Sequence, residues 1–107
     1  MAAVDWKVLA TGKVQNPQAA IYTAPEQVWI KSIRFTQKSV TPQTIRVFLN
    51  PAVGDTSEID YAEDVPQNYK LESADQPITL EAGDSIEAVS TTDDVVEFAI
   101  FGGERVP

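Results

Sequence analysis

Apolar and polar residues alternate along most of this chain with a period of two, the spacing of strands that bury one face. The clearest case runs from Leu80 to Thr91. Leu80 ends one strand, Ala82-Gly83-Asp84 turns the chain, and Ile86 and Ala88 then share one face while Ser85, Glu87 and Val89 share the other. Gly83 can take a positive φ without a Cβ clash, and Asp84 can accept from a nearby backbone N–H, so these two residues define the turn. After Thr91-Thr92-Asp93-Asp94, the run Val95 to Phe101 reads as the next antiparallel strand.

The rest of the chain shows the same grammar. Val4, Trp6, Val8 and Ala10 alternate with polar neighbours and predict a first strand with those four residues on one face. Ala20–Ala24 is a short strand stopped by Pro25. Val28–Thr36 is the longest signal, but its phase changes. Val28 and Ile30 share one parity and Ile33 and Phe35 the other, which a β-bulge near Lys31-Ser32 would reconcile. Thr44–Leu49 follows, with Ile45, Val47 and Leu49 inward. Residues 51–68 are acidic with scattered anchors and read as a long connection holding at most one short strand. Tyr69–Leu71 and Pro77–Leu80 are short strands, and 102–107 reads as a tail that is mobile or committed to a neighbour. No segment has helical periodicity. The prediction is a single all-β domain over 1–107, an antiparallel β-sandwich of seven to eight strands, either jelly-roll or immunoglobulin-like.

Composition narrows the chemistry. With 107 residues the chain has the size of one domain, and with no cysteine its stability must come from its core. No apolar run approaches a membrane span, and the first residues lack the basic start and apolar core of a signal peptide. The absence of histidine excludes histidine triads, histidine metal sites and an ordinary proton shuttle at neutral pH. The net charge of −8 argues against nucleic acid as a partner. It is uneven: residues 1–50 hold six basic and two acidic residues, a net of +4, and the remainder holds two basic and fourteen acidic, a net of −12.

Each candidate constellation has a plainer explanation. Asp55, Glu58, Asp60, Glu63 and Asp64 could offer oxygen ligands to Ca²⁺, but the spacing of a calcium loop is not reproduced, and a solvated loop accounts for them. Glu81, Asp84 and Glu87 suggest paired carboxylates, yet they cluster around one turn. Tyr22, Trp29, Tyr61 and Tyr69 could form a platform for sugars, although strand aromatics more often pack. The serines have no histidine to activate them, and Gly102-Gly103 is too little for a phosphate loop. We therefore expect no catalytic residue, no cofactor and no metal site.

Three segments in order, Ala20-Ile21-Tyr22-Thr23-Ala24-Pro25, then Val28–Ile33, then Leu80–Ala88, resemble small β-sandwich virion proteins of tailed bacteriophages. In that family an IYT-x-P strand, an I-x-S-I strand and a late L-x-A-G-D-x-I hairpin recur in this order. The resemblance covers residues 19–101 and departs from the family at Glu26-Gln27 and at the acidic stretch 51–68. It implies a non-enzymatic particle component, a capsid decoration or cement protein that oligomerises on the virion beside the major capsid protein, with no nucleic acid and no membrane as partner. The alternatives are a tail, baseplate or fibre component, or a module that binds carbohydrate or a host surface.

Several strands are apolar on both faces, which a half-buried strand does not require. Phe48 lies opposite in parity to Ile45, Val47 and Leu49, and Val95, Ala99 and Phe101 lie opposite to Val96, Phe98 and Ile100. Phe48, Val95 and Phe101 are therefore candidate interface residues, the competing explanation being burial within the monomer.

Overall fold

The computed structural model describes residues 3–73 and 77–106. Nine strands follow one another: β1 (Ala3–Lys13), β2 (Ala19–Thr23), β3 (Val28–Gln37), β4 (Gln43–Asn50), β5 (Ser57–Val65), β6 (Lys70–Ser73), β7 (Ile78–Leu80), β8 (Ser85–Ser90) and β9 (Val96–Val106). One antiparallel sheet has the order β1-β9-β3-β6, with β7 also on β3; the other has the order β2-β8-β4-β5. We call them the A and B sheets. Strands β6 and β7 pair with different halves of β3, Ile33–Thr36 and Val28–Ile30. They occupy one edge in tandem, so the nine strands fill eight positions.

This order decides between the two topologies. An immunoglobulin-like sandwich keeps its first two strands in one sheet. Here β1, β2, β3 and β4 alternate between sheets, and β7, β8 and β9 do so again. The result is the interleaved double sheet of a jelly roll.

The core follows the period-two pattern. Val28, Ile30, Ile33, Phe35, Leu80, Val96, Phe98 and Ile100 of the A sheet meet Ile45, Val47, Val65, Ile86 and Ala88 of the B sheet, with Val14 and Ala24 closing gaps from the connections. The phase change in β3 is a bulge: Ile30 faces Gly102 and Ser32 faces Phe101, leaving Lys31 as the extra residue. That bulge is why both Val28/Ile30 and Ile33/Phe35 point inward. Two buried glutamines brace one end. Gln37 donates from Nε2 to the Val65 carbonyl at 2.9 Å, and the Gln43 side-chain oxygen accepts from the Thr92 N–H at 2.8 Å. Satisfied in this way, they avoid the cost of buried unpaired amides.

The turn before β8 is built as its sequence suggests. Gly83 has φ of 90°. Asp84 accepts from the Glu81 N–H (3.0 Å) and, across to another loop, from the Ala52 N–H (2.9 Å). These two donors hold the Asp84 carboxyl below its ordinary pKa, the Ala52 bond contributing most. Ala24 and the turn exchange two further backbone bonds, from the Gly83 N–H to the Ala24 carbonyl and from the Ala24 N–H to the Asp84 carbonyl. The turn thus ties three connections together.

Three expectations fail. Residues 51–68 are not mainly a connection: Ser57–Val65 is a nine-residue strand at the edge of the B sheet. It holds its place through a ladder with β4, so few of its residues need to be apolar. Residues 102–106 are not a tail but the second half of β9, paired with both β1 and β3; Pro107 lies outside the described residues. The third concerns β1, whose four alternating residues do not share one face: Trp6 and Val8 are 61% and 50% exposed, while Ala10 packs against the core. A register shift between Val8 and Ala10 leaves Leu9 as the extra residue and turns Leu9 and Ala10 against the core.

Candidate interaction surface

The outward turn of β1 creates a feature on the outer face of the A sheet. Along β9, Val96, Phe98 and Ile100 point into the sandwich, so the half-buried Phe101 and Gly103 share the face that points away from it. Trp6 faces Gly103 from β1, and Trp29 faces the same Gly103 from β3. Val8 and Ser32 likewise flank Phe101. The two tryptophans are therefore separated by one strand, with no side chain between them. Built on Gly103, a Cβ would lie 2.3 Å from Val4 Cγ1 and 3.1 Å from Trp6 Cε3, so both side chains lean across that glycine. Val4, Trp6, Val8, Trp29 and Phe101 together form an apolar patch that is partly exposed.

Polar groups frame the patch. The Arg34 guanidinium lies 5.7 Å from the centroid of the Phe101 ring, and Arg34 also pairs with Glu72 at 3.1 Å. Beyond Arg34 an open depression of about 420 Å³ is lined by Thr11, Lys13, Thr36, Glu97 and Ala99 among others. On the opposite face of the sheet, the side turned toward the B sheet, Lys7 pairs with Glu104 at 3.0 Å and with Asp5 at 3.7 Å. Hydrogen bonding to Glu104 raises the Lys7 pKa, which keeps this exposed ammonium charged.

The other predicted residues are dispersed. Phe48 is 8% exposed and lies under the Arg46 guanidinium, 5.2 Å from its ring centroid. Arg46 is held there by Glu58 at 2.6 Å. Phe48 is thus covered within the chain and offers no exposed anchor. Val95 precedes β9, half-buried against the core. Phe101 alone of the three candidate interface residues belongs to the patch. Gly83 and Asp84 sit in the turn already described.

The four proposed platform aromatics do not meet. Trp29 is on the A sheet, Tyr22 and Tyr61 are on the two edge strands of the B sheet, and Tyr69 is in the turn before β6. Tyr61 instead lies beside Arg46 and donates to Glu63. In the acidic stretch Glu58 is engaged by Arg46, and among the described residues no group of three metal-ligating side chains converges. Glu81 accepts from Gln27 at 2.9 Å, and Glu87 accepts from Gln18 at 2.7 Å and Asn50 at 3.2 Å. The carboxylates near the turn therefore serve as cross-strand acceptors. Sequence reasoning missed Trp6, whose alternation is the same whichever face it occupies. The signal that could have exposed it is Gly102-Gly103, a pair that makes little sense in a strand unless neighbours fill the space.

No protein-family model matches the chain, and no curated protein does. Among solved structures it is similar to infectious bursal disease virus Gt strain, at 9% identity and a TM-score of 0.43, over 95% of this chain and 32% of that one. Infectious bursal disease virus Gx strain gives 11% and 0.46, over 99% and 37%. The CBM22-1 xylan-binding domain from Paenibacillus barcinonensis Xyn10C gives 17% and 0.41, over 99% and 85%. The chain spans about a third of the length of the two viral chains. At such identities and TM-scores these likenesses assign neither a family nor a function.

Proposed function

We propose that this protein is a non-enzymatic structural component of a bacteriophage virion, a capsid decoration or cement protein that acts by surface adhesion. The observation that carries the reading is the apolar patch around Gly103, where Trp6 is 61% exposed beside Trp29 and Phe101 on a sheet face rather than in a cleft. Isolated exposed apolar residues need no explanation, but a contiguous patch with aromatic members is the form of a binding surface. The order of the three sequence segments shared with tailed-phage virion proteins supplies the kind of partner, the major capsid protein or another virion protein.

The test is co-sedimentation of the purified chain with particles assembled without it. The wild type should pellet saturably, and Trp29→Ala should weaken binding by ~30-fold, the worth of one ~2 kcal/mol anchor. A second outcome would redirect the assignment. The Arg34, Thr36 and Glu97 side chains beside the aromatic patch also suit a sugar, so saturable signal on a glycan array with no binding to particles would make this a carbohydrate-binding module. Binding to tail assemblies but not to capsids would place it in the tail, baseplate or fibre.

A further inference from the structure

Among the described residues strand β1 is an edge of the A sheet, paired with β9 alone. An edge strand exposes a row of unpaired N–H and C=O groups, and proteins usually blunt it by shortness, charge or a bulge. The other edges here are blunted. Strand β2 has five residues and a register break between Ala20 and Tyr22. Strands β6 and β7 have four and three residues. Strand β5 is longer, but it carries Glu58, Asp60, Glu63 and Asp64 without a basic residue and has two register breaks against β4. In β1 the break comes only after Val8. The segment before it is regular, and its charges cancel.

That segment reads Val4-Asp5-Trp6-Lys7-Val8, a palindrome in polarity whose two charges have opposite sign. We propose that β1 pairs antiparallel with β1 of a second copy of this chain, about a two-fold axis through Trp6, and joins two A sheets into one. In this register Trp6 faces Trp6 of the second copy, Val4 faces Val8, and Asp5 faces Lys7. Opposite charges directly across an antiparallel pair stabilise it, and like charges destabilise it.

Neighbouring registers are worse. Moving the axis to Asp5 or to Lys7 sets like charges face to face. A slip that pairs odd with even positions puts the outer face of one sheet beside the inner face of the other. Only the axis at Trp6 joins the two apolar patches on one side and pairs every charge. The net charge of −8 opposes association elsewhere, whereas Asp5 and Lys7 make this edge locally neutral. The inference requires no virion, because its partner is the chain itself.

Charge reversal tests the pairing, read by sedimentation of the full chain up to ~1 mM, where weak association is still measurable. The wild type should dimerise. Asp5→Lys and Lys7→Asp should each raise the dimer dissociation constant at least ~10-fold, two like-charge pairs replacing two opposite ones. An equimolar mixture of the two variants should form a heterodimer with near wild-type affinity. Both positions are exposed, with side chains 58% and 44% accessible, and circular dichroism should confirm that the fold is kept.

Disulfide trapping tests the register without relying on charge, in a chain with no cysteine of its own. Residues directly opposite on antiparallel strands have Cα atoms ~4.5–5.5 Å apart, within the span of a disulfide. Trp6→Cys should cross-link to itself under mild oxidation. Val4→Cys and Val8→Cys should cross-link to each other when mixed and not alone. A wild type that stays monomeric throughout would overturn the proposal. So would a mixture of charge variants that does not associate, or Val4→Cys trapping itself as readily as it traps Val8→Cys.

Discussion

Two adjacent glycines in β9 provide a graded test of how the A sheet is built. Replacing Gly102 by alanine would place the new Cβ 2.1 Å from the backbone oxygen of Trp29 and 2.9 Å from Leu9 Cδ1. Replacing Gly103 would place it 2.3 Å from Val4 Cγ1 and 3.1 Å from the Trp6 ring. The two distances are similar, but the obstacles are not. Val4 is half-buried on an edge strand and can change rotamer, a strain of ~0.5–1.5 kcal/mol. The Trp29 carbonyl belongs to a strand held by β9 on one side and by β6 and β7 on the other, beside the bulge at Lys31. Relief there means pulling β3 from β9 by about 1 Å, which overpacks the neighbouring core and sacrifices at least one ladder bond, together ~3–5 kcal/mol.

Unfolding entropy of ~2.1 cal/mol/K per residue gives a 107-residue chain ~0.22 kcal/mol/K, so each kcal/mol shifts the midpoint by roughly 4–5 °C. Thermal unfolding followed by circular dichroism should therefore show Gly102→Ala losing at least ~13 °C and Gly103→Ala about 5 °C. A Gly103→Ala loss equal to or greater than that of Gly102→Ala would refute the reasoning, since it would mean that β1 rather than the β3 bulge sets the close approach.

Three further expectations follow from the B sheet and its turns. Ile86→Ala, a fully buried deletion, should cost ~2–5 kcal/mol in chemical denaturation, whereas Glu87→Ala should cost ~1 kcal/mol for its bonds from Gln18 and Asn50; equal costs would put the wrong face inward. Phe48→Asp should unfold or severely destabilise the chain, because a carboxylate would replace a ring 8% exposed beneath Arg46; a folded, stable variant would show that the ring is dispensable to the monomer. Asp84 has a folded-state pKa below its ordinary 3.8, so its contribution is present above pH 3.8 and is lost as the pH falls through the lower folded value. Asp84→Asn should accordingly be less stable than wild type at pH 7, with the gap closing below pH 3.8, and a gap independent of pH would assign the turn's stability to something other than the carboxylate.

Where sequence and fold agree, the agreement has a local cause. Gly83 and Asp84 announce their turn because a positive φ and an Asx-type acceptor are properties of those two residues, whatever surrounds them. The bulge at Lys31 was legible because two long apolar pairs of opposite parity cannot both be buried without an extra residue. Strand β5 was not legible, because a ladder with β4 is invisible in a segment of which few residues are buried. Residues 102–106 were misread for a related reason. Glycine is depleted from strands in general, and only Trp6, Trp29 and the Lys31 bulge, from other parts of the chain, show why it is needed there.

The misread residues of the A sheet are not scattered. Trp6, Val8, Gly102 and Gly103 lie together in the paired strands β1 and β9, at one edge of the sheet. When the levels of a sequence agree, pattern and packing point to one answer, and disagreement concentrates where a surface serves something other than the monomer. An alternation of Val4, Trp6 and Val8 that leaves Trp6 and Val8 largely exposed is such a disagreement. The Trp6 ring leans over the buried Gly103 yet stays 61% exposed, so the monomer covers only part of its apolar surface. Under the proposed pairing, a second copy would complete the burial of this face. The palindromic charges on the same strand say how a second copy would complete it.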